Sequence, residues 1–214
     1  AYNNPSFLDD CLNSLLKQTI SDFNIYLVDD CSKDNMELVV TKFINLGLNI
    51  TFIKNKKNKG ALLSLNEMYK ISTSPFILCL HHDDILEPDF IELVLFKGLM
   101  CHPECSLGYS LFSRLIDNNS TCDTGQLIPK LKTGVHDIVD FLCVTSWLIP
   151  SFLIFRRSAF DSVGAFDRHI EKIITDVYHT GSVDHYMYAR LAAVGKAYVL
   201  NEYKGFYRIH NDQN

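Results

Sequence analysis

A chain of 214 residues that is 47% hydrophobic and 21% charged, with neither Gly nor Pro enriched, can bury one sizeable core and is neither fibrous nor disordered. Its formal charge of −5, with a pI near 5.9, argues against a nucleic-acid backbone as partner. No apolar run is long enough to span a bilayer, and the seven scattered cysteines read as small buried hydrophobes of a reduced, cytoplasmic protein rather than as a disulfide framework.

In chain order, Asn4-Pro5 pairs a capping residue with a proline suited to the first helical position. Phe7, Leu8, Cys11, Leu12, Leu15 and Leu16 then recur at helical spacing through Gln18. Ile25 to Val28 reads as a strand ending in Asp29-Asp30-Cys31-Ser32. Leu38, Val39, Phe43 and Leu46 mark a second helix that Gly47 stops. Asn49 to Ile53 is a strand, Lys54 to Gly60 a basic loop, and Ala61 to Ile71 a helix. An apolar strand from Phe76 to Leu80 then breaks into His81-His82-Asp83-Asp84, and Pro88 leads into the next helix. Strand and helix thus alternate up to about Met100, the pattern of βαβ units and a mostly parallel sheet in an α/β fold.

Beyond Met100 the rhythm changes. Leu107 to Ile116 and Ser151 to Phe155 read as strands, Gly134 to Val144 as a short helix, and Ala159 to Val163 as a helix stopped at Gly164. Residues 167–181 are irregular and polar. Asp184 to Val194 is helical, and Ala197 to Leu200 and Gly205 to Ile209 are two strands. The whole makes a single domain of two halves, residues 1–100 and 101–214. No strand stands before the first helix, and the expectation is that one precedes Tyr2 in the native protein.

The His81–Asp84 cluster is the centre of the functional reading. Ligands of open α/β sheets bind beyond the carboxyl ends of strands, where these four side chains fall. Adjacent carboxylates repel each other, and a hard cation is the usual remedy. A helix cap would also explain an acidic residue here, but Glu87 and Asp89 can serve that purpose. Cys101-His102 with Cys105 lacks the second ligand pair that a zinc site needs.

Several segments, taken in order, resemble a known family. Tyr2-Asn3-Asn4-Pro5 with the residues through Thr19 resembles the opening of the family 2 glycosyltransferases, inverting enzymes of the GT-A fold. Val28-Asp29-Asp30-Cys31-Ser32 is similar to their Asp-Asp-Gly-Ser turn, with Cys31 in place of glycine. Asn58-Lys59-Gly60 with Asn66 resembles their Asn-x-Gly…Asn segment, and Leu80 to Asp84 falls where they carry a DxD motif, His81 replacing its first Asp. Phe155-Arg156-Arg157 with Gly164-Ala165-Phe166-Asp167, then Val183-Asp184, then Tyr207-Arg208-Ile209-His210 complete the series.

The resemblance implies a nucleotide-sugar-binding half in residues 1–100 and an acceptor half in 101–214. It implies a nucleotide-sugar donor, a UDP-sugar, and a saccharide or lipid-linked saccharide acceptor, with peripheral association at the inner face of a membrane as one setting. A carboxylate at Asp29 or Asp30 can accept the imide N–H of uracil; its bland alternative is capping of the next helix, which Ser32 or Asp34 can also do. Tyr2 is a stacking candidate for the base, and Asn58 and Gly60 are candidates for the diphosphate. His81 and His82 can hydrogen-bond ribose or phosphate. Mn2+ or Mg2+ is implied at Asp83, with Asp84 as ligand or orienting neighbour and His210 as a further ligand or a structural histidine. Asp184 is the implied general base, or a helix cap in competition with Ser182. Trp147 reads as an acceptor platform or as core. A nucleotidyltransferase of similar fold and a catalytically degenerate nucleotide-sugar binder are the rival functions.

Overall fold

A computed structural model describes residues 1–116, 119–123, 131–137, 148–164, 188, 190–191 and 193–210. The first half follows the alternation read from the sequence. α1 (Pro5–Leu16) begins at Pro5, whose missing N–H costs nothing in a first turn. Asn4 caps it through its backbone carbonyl, which accepts from Phe7 N and Leu8 N; its side chain makes no cap. β1 (Ile25–Asp29), α2 (Met36–Asn45), β2 (Ile50–Lys54) and α3 (Ala61–Ile71) follow. β1 and β2 are parallel, in register from Ile25 opposite Ile50 to Asp29 opposite Lys54, and α2 is the crossover that a parallel pair requires. On the other edge of β1, Ala1 N donates to Val28 O and Asp30 N donates to Ala1 O.

β3 (Phe76–Leu78) and β4 (Ile85–Leu86) flank the His81–Asp84 turn, and α4 (Glu92–Leu99) follows, wound as a π-helix. β5 (Cys105–Ile116), β6 (Asn119–Asp123), β7 (Gly134–His136), β8 (Leu153–Arg156), α5 (Arg157–Ser162) and β9 (Lys196–Ile209) complete the described elements. A 3-10 turn over Pro150–Phe152 leads into β8. The larger sheet has the order β3-β8-β5-β9-β4, with β6 on β5 and β7 on β9. β5 and β9 run parallel and its other pairs antiparallel, so the larger sheet is mixed rather than mostly parallel as the alternation suggested, because the strands after Met100 and β3 and β4 pair with distant antiparallel partners. α4 packs Val94 and Leu99 onto this sheet beside Leu107, Tyr109 and Val199, all buried.

Two further expectations change. The strands expected at Ala197–Leu200 and Gly205–Ile209 are one strand, because register shifts near Leu111 of β5 absorb the polar Asn201-Glu202 without ending the ladder. Gly134–His136 opens not as a helix but as β7, antiparallel to Val199, Tyr198 and Ala197. β9 offers unsatisfied backbone groups along that edge, and pairing outweighs local propensity. Residues 138–147 lie outside the described residues.

Close packing joins the sheet to the site. A Cβ at Gly205 would lie 2.3 Å from the Phe152 ring and 2.8 Å from Ile85 O. That ring is stacked on Phe112 at 4.7 Å, so it has no room to retreat. Gly205→Ala is therefore expected to lower stability by about 1–3 kcal/mol, seen as an earlier midpoint in urea unfolding; an unchanged midpoint would show that the Phe152 ring can move.

Candidate active site

β3 ends and β4 begins within a few residues, which forces His81–Asp84 into a tight turn; Asp84 N donates back to His81 O at 3.3 Å. The two carboxylates of this turn have different surroundings. Asp84 is fully buried: its Oδ2 accepts from Ser151 Oγ at 2.5 Å and its Oδ1 from Arg208 N at 3.1 Å. Burial pushes its carboxyl up to about 6; Asp83 adds to that shift, while His81 and the bonds from Ser151 and Arg208 oppose it. Asp83 stays partly open, its side chain 14% exposed. Its Oδ2 accepts from His210 Nε2 at 3.2 Å, and its Oδ1 lies 4.0 Å from His82 Nδ1.

Burial above all holds His82 down at about 4, against the pull of Asp83, which raises it. His82 Nε2 and His210 Nδ1 are buried without a hydrogen-bond partner among the described residues. One ligand atom each from His81, Asp83 and Asp84 lies within 4.8 Å of the others. Oxygen and imidazole donors at that spacing, with an unbonded Asp83 Oδ1 and two orphaned imidazole nitrogens, fit a divalent cation.

The second cluster forms at the end of β1. Asp29 is fully buried; its Oδ1 accepts from Ser32 N at 2.8 Å, and its Oδ2 lies 3.4 Å from Lys54 Nζ, outside hydrogen-bonding geometry. Asp30 is consumed locally. Its Oδ1 accepts from Asn55 Nδ2 at 2.7 Å, Lys59 N at 2.9 Å and Ser64 Oγ at 3.3 Å, and its Oδ2 from Gly60 N at 2.8 Å. Desolvation raises the Asp30 carboxyl, but bonds from Lys59, Asn55, Gly60 and Ser64 outweigh it and hold the group below its ordinary range.

Asn58 Oδ1 accepts from Gly60 N at 3.0 Å. Gly60 has φ +84° and open space where a Cβ would lie, so its requirement here is the left-handed backbone rather than a close approach. Neither Ser32 nor Asp34 caps α2: they accept from Asn3 N and Asn4 N, tying the start of the chain to the β1 turn. Tyr2 is 40% exposed.

The structure thus gathers His81, His82, Asp83, Asp84 and His210 in one cluster and Asp29, Asp30, Asn58 and Gly60 in another. The chain start links the two: Ala1 N donates to Val28 O and Ala1 O accepts from Asp30 N at the end of β1, and Cys11 Sγ of α1 donates to His81 O at 3.5 Å. Asp184, Val183 and Trp147 lie outside the described residues. Sequence reasoning missed Ser151 and the contacts of Arg208. Nothing around Pro150-Ser151 marks a site, whereas Arg208 lies inside the Tyr207–His210 motif and could have been asked for a role.

Asp84 carries a pH signature in the metal-free protein. A carboxyl at about 6 in the folded state and near 3.8 in the unfolded chain means that the native state holds the extra proton between these values. Stability therefore falls as pH rises from about 4 to 6, by about 3 kcal/mol at 1.36 kcal/mol per unit. His82 opposes it, since a folded value depressed to about 4 contributes stability above 6.5 that is lost on acidification. Subtracting Asp84→Asn from wild type in urea unfolding isolates the Asp84 contribution. The wild-type advantage should shrink from pH 4 to 6; a constant difference contradicts the raised carboxyl.

Comparison with known proteins agrees with the architecture. Residues 1–97 match the model of glycosyl transferase family 2. The chondroitin synthase of Pasteurella multocida is 26% identical over 202 residues, 94% of this chain but 19% of the synthase. The S. aureus TarS 1-349 structure in complex with UDP-GlcNAc superposes with a TM-score of 0.70 at 18% identity, over all of this chain and 58% of that one. The mannosyltransferase PcManGT of Pyrobaculum calidifontis, in complex with GDP-Man and Mn2+, superposes at 0.69 with 14% identity, over 99% of this chain and 56% of its own. This chain therefore spans about a fifth of the Pasteurella synthase and over half of each solved relative. The mixed sheet with its helices is a GT-A fold, and residues 1–97, just under half of the chain, are similar to glycosyl transferase family 2.

Proposed function

We propose that this chain transfers a sugar, with inversion, from a UDP-sugar to a saccharide or lipid-linked saccharide acceptor. The observation that carries the reading is the Asp83 carboxylate, held half-open at the end of β3 with His81, His82 and His210 around it and the Asp29 cluster nearby. Departure of a nucleoside diphosphate builds negative charge that must be met where it develops. Asp83 would hold Mn2+ or Mg2+, with His81 and His210 beside it and Asp84 as neighbour; the bound cation would neutralise the diphosphate oxygens.

The remaining roles fall to the chain's own groups. Asp29 Oδ2, buried with no hydrogen bond among the described residues, is the acceptor available to a uracil N–H, whereas Asp30 is spent on the 59–60 loop. Tyr2 stacks on the base, and Asn58 and Gly60 shape the loop beside the diphosphate. Asp184 takes the proton of the acceptor hydroxyl as it attacks. The chondroitin synthase relative supports a saccharide acceptor and a place in polysaccharide synthesis. No helix among the described residues is long and apolar enough to cross a membrane.

His81, at the first DxD position, favours a second reading in which the domain binds a nucleotide sugar without turning it over. Cys31 argues the other way. It adopts φ 68°, the conformation its glycine counterpart would take, so the turn keeps its shape. Thermal-shift titration with UDP, GDP and CDP, with and without Mn2+, tests both. UDP should stabilise most, and more with Mn2+. Preference for another nucleotide overturns the donor assignment, and tight UDP binding without sugar transfer in any acceptor screen leaves only the binder.

A further inference from the structure

We infer that Ser151 and Arg208 are positioning residues that clamp the His81–Asp84 turn through Asp84, so that Asp84 orients the turn while Asp83 is left to face the ligand. The inference rests on the proposed metal-assisted reading of the same turn. Ser151, itself fully buried, spans the turn from end to end: its hydroxyl donates to Asp84 Oδ2 at 2.5 Å and accepts from His81 N at 3.0 Å. Arg208 closes the other side. Its backbone N donates to Asp84 Oδ1 at 3.1 Å, and its Nε donates to the backbone oxygen of Asp83 at 2.9 Å.

The rest of the Arg208 guanidinium anchors to α1. It donates to Asp10 Oδ2 at 2.8 Å and lies 4.5 Å from the centre of the Phe7 ring, and the same ring lies 4.9 Å from that of His210. Both Asp84 oxygens are thereby occupied by the protein. Asp83 has its main chain held by Arg208 and, among the described residues, its Oδ1 makes no hydrogen bond. A carboxylate that must take up a cation repeatedly needs such support, because the groups that orient a ligand commonly contribute about 10–100-fold to metal affinity. Three separate segments meet at Asp84: the turn, the 3-10 turn before β8, and the end of β9. A purely local cap would need none of the last two.

The test uses the whole chain with Ser151→Ala and Arg208→Lys. Arg208→Lys keeps the charge and the backbone bond to Asp84, and removes the guanidinium fork between Asp83 and Asp10. Two measurements are made on each: amide exchange of the 81–84 turn without metal, and Mn2+ affinity from the free-Mn2+ paramagnetic signal with UDP present. The expected result is about tenfold faster exchange in the turn and about tenfold weaker Mn2+ binding, with excess Mn2+ restoring transfer. Unchanged exchange in both variants overturns the clamp. Faster exchange with unchanged Mn2+ affinity overturns its role toward the metal. Should the wild type itself bind no Mn2+, the proposed metal site fails, and the exchange data alone still decide whether the clamp exists. If Ser151→Ala does not fold, Arg208→Lys carries the same two readouts.

Discussion

Asp83→Ala is expected to abolish the Mn2+-dependent part of UDP binding and to lower sugar transfer by about 10^2–10^3-fold, the loss typical when a group serving the developing charge is removed. The reason is geometric. Of the two carboxylates of the turn, Asp84 has both oxygens engaged by Ser151 and Arg208, while Asp83 keeps its Oδ1 without a hydrogen bond among the described residues. Removing Asp83 also leaves His210 Nε2 without its acceptor, but that histidine is at the end of β9, so the core should survive. Circular dichroism and the unfolding midpoint should therefore stay near wild type while calorimetric UDP titration loses its response to Mn2+. Retained Mn2+-dependent affinity in Asp83→Ala would move the metal site elsewhere. Asp83→Asn should fall between the two, because the amide keeps one oxygen but not the charge.

Asp184→Asn is the second large effect. Direct displacement with inversion needs a carboxylate on the acceptor side that is not already serving the cation, and proton removal by a positioned base contributes about 10^2–10^4-fold. The amide cannot take the proton, yet it has the same size and can still cap a helix. The expected outcome is a loss of that order in kcat with UDP-sugar affinity unchanged. A near-normal kcat with normal binding removes Asp184 from the reaction; loss of binding together with folding assigns it to helix capping.

The sequence exposed the first half well because its signals are local. Helical spacing from Phe7 to Leu16, the stop at Gly47 and the apolar runs at Ile25 and Asn49 each act over one or two turns, and β1, β2 and their helices appear as expected. The second half was harder because its strands obtain their partners from far away. β7 forms because the edge of β9 is available, and no residue of Gly134–His136 states that by itself. β9 persists through Asn201-Glu202 because register shifts against β5 absorb them. The site divides in the same way. Asp29 and Asp83 are visible as carboxylates at strand ends, but an adjacent Asp30 or Asp84 looks identical on paper. Only the bonds from Lys59, Gly60 and Asn55, and from Ser151 and Arg208, show that these two carboxylates serve the protein's own backbone and side chains.

The long reach of Arg208 has a consequence for how the protein comes to be folded. Its ion pair with Asp10 joins residues 198 positions apart, and its bond to Asp84 spans 124. Contacts of such separation form late, since closing the intervening loop costs entropy that nearer contacts do not. The β1–β2 unit can assemble from neighbouring segments, but the His81–Asp84 turn receives its last support only when the final strand docks beside β5. A nascent chain still lacking that strand would thus have an immature His81–Asp84 turn, and ordering of that turn should arrive in a single late kinetic phase together with burial of β9.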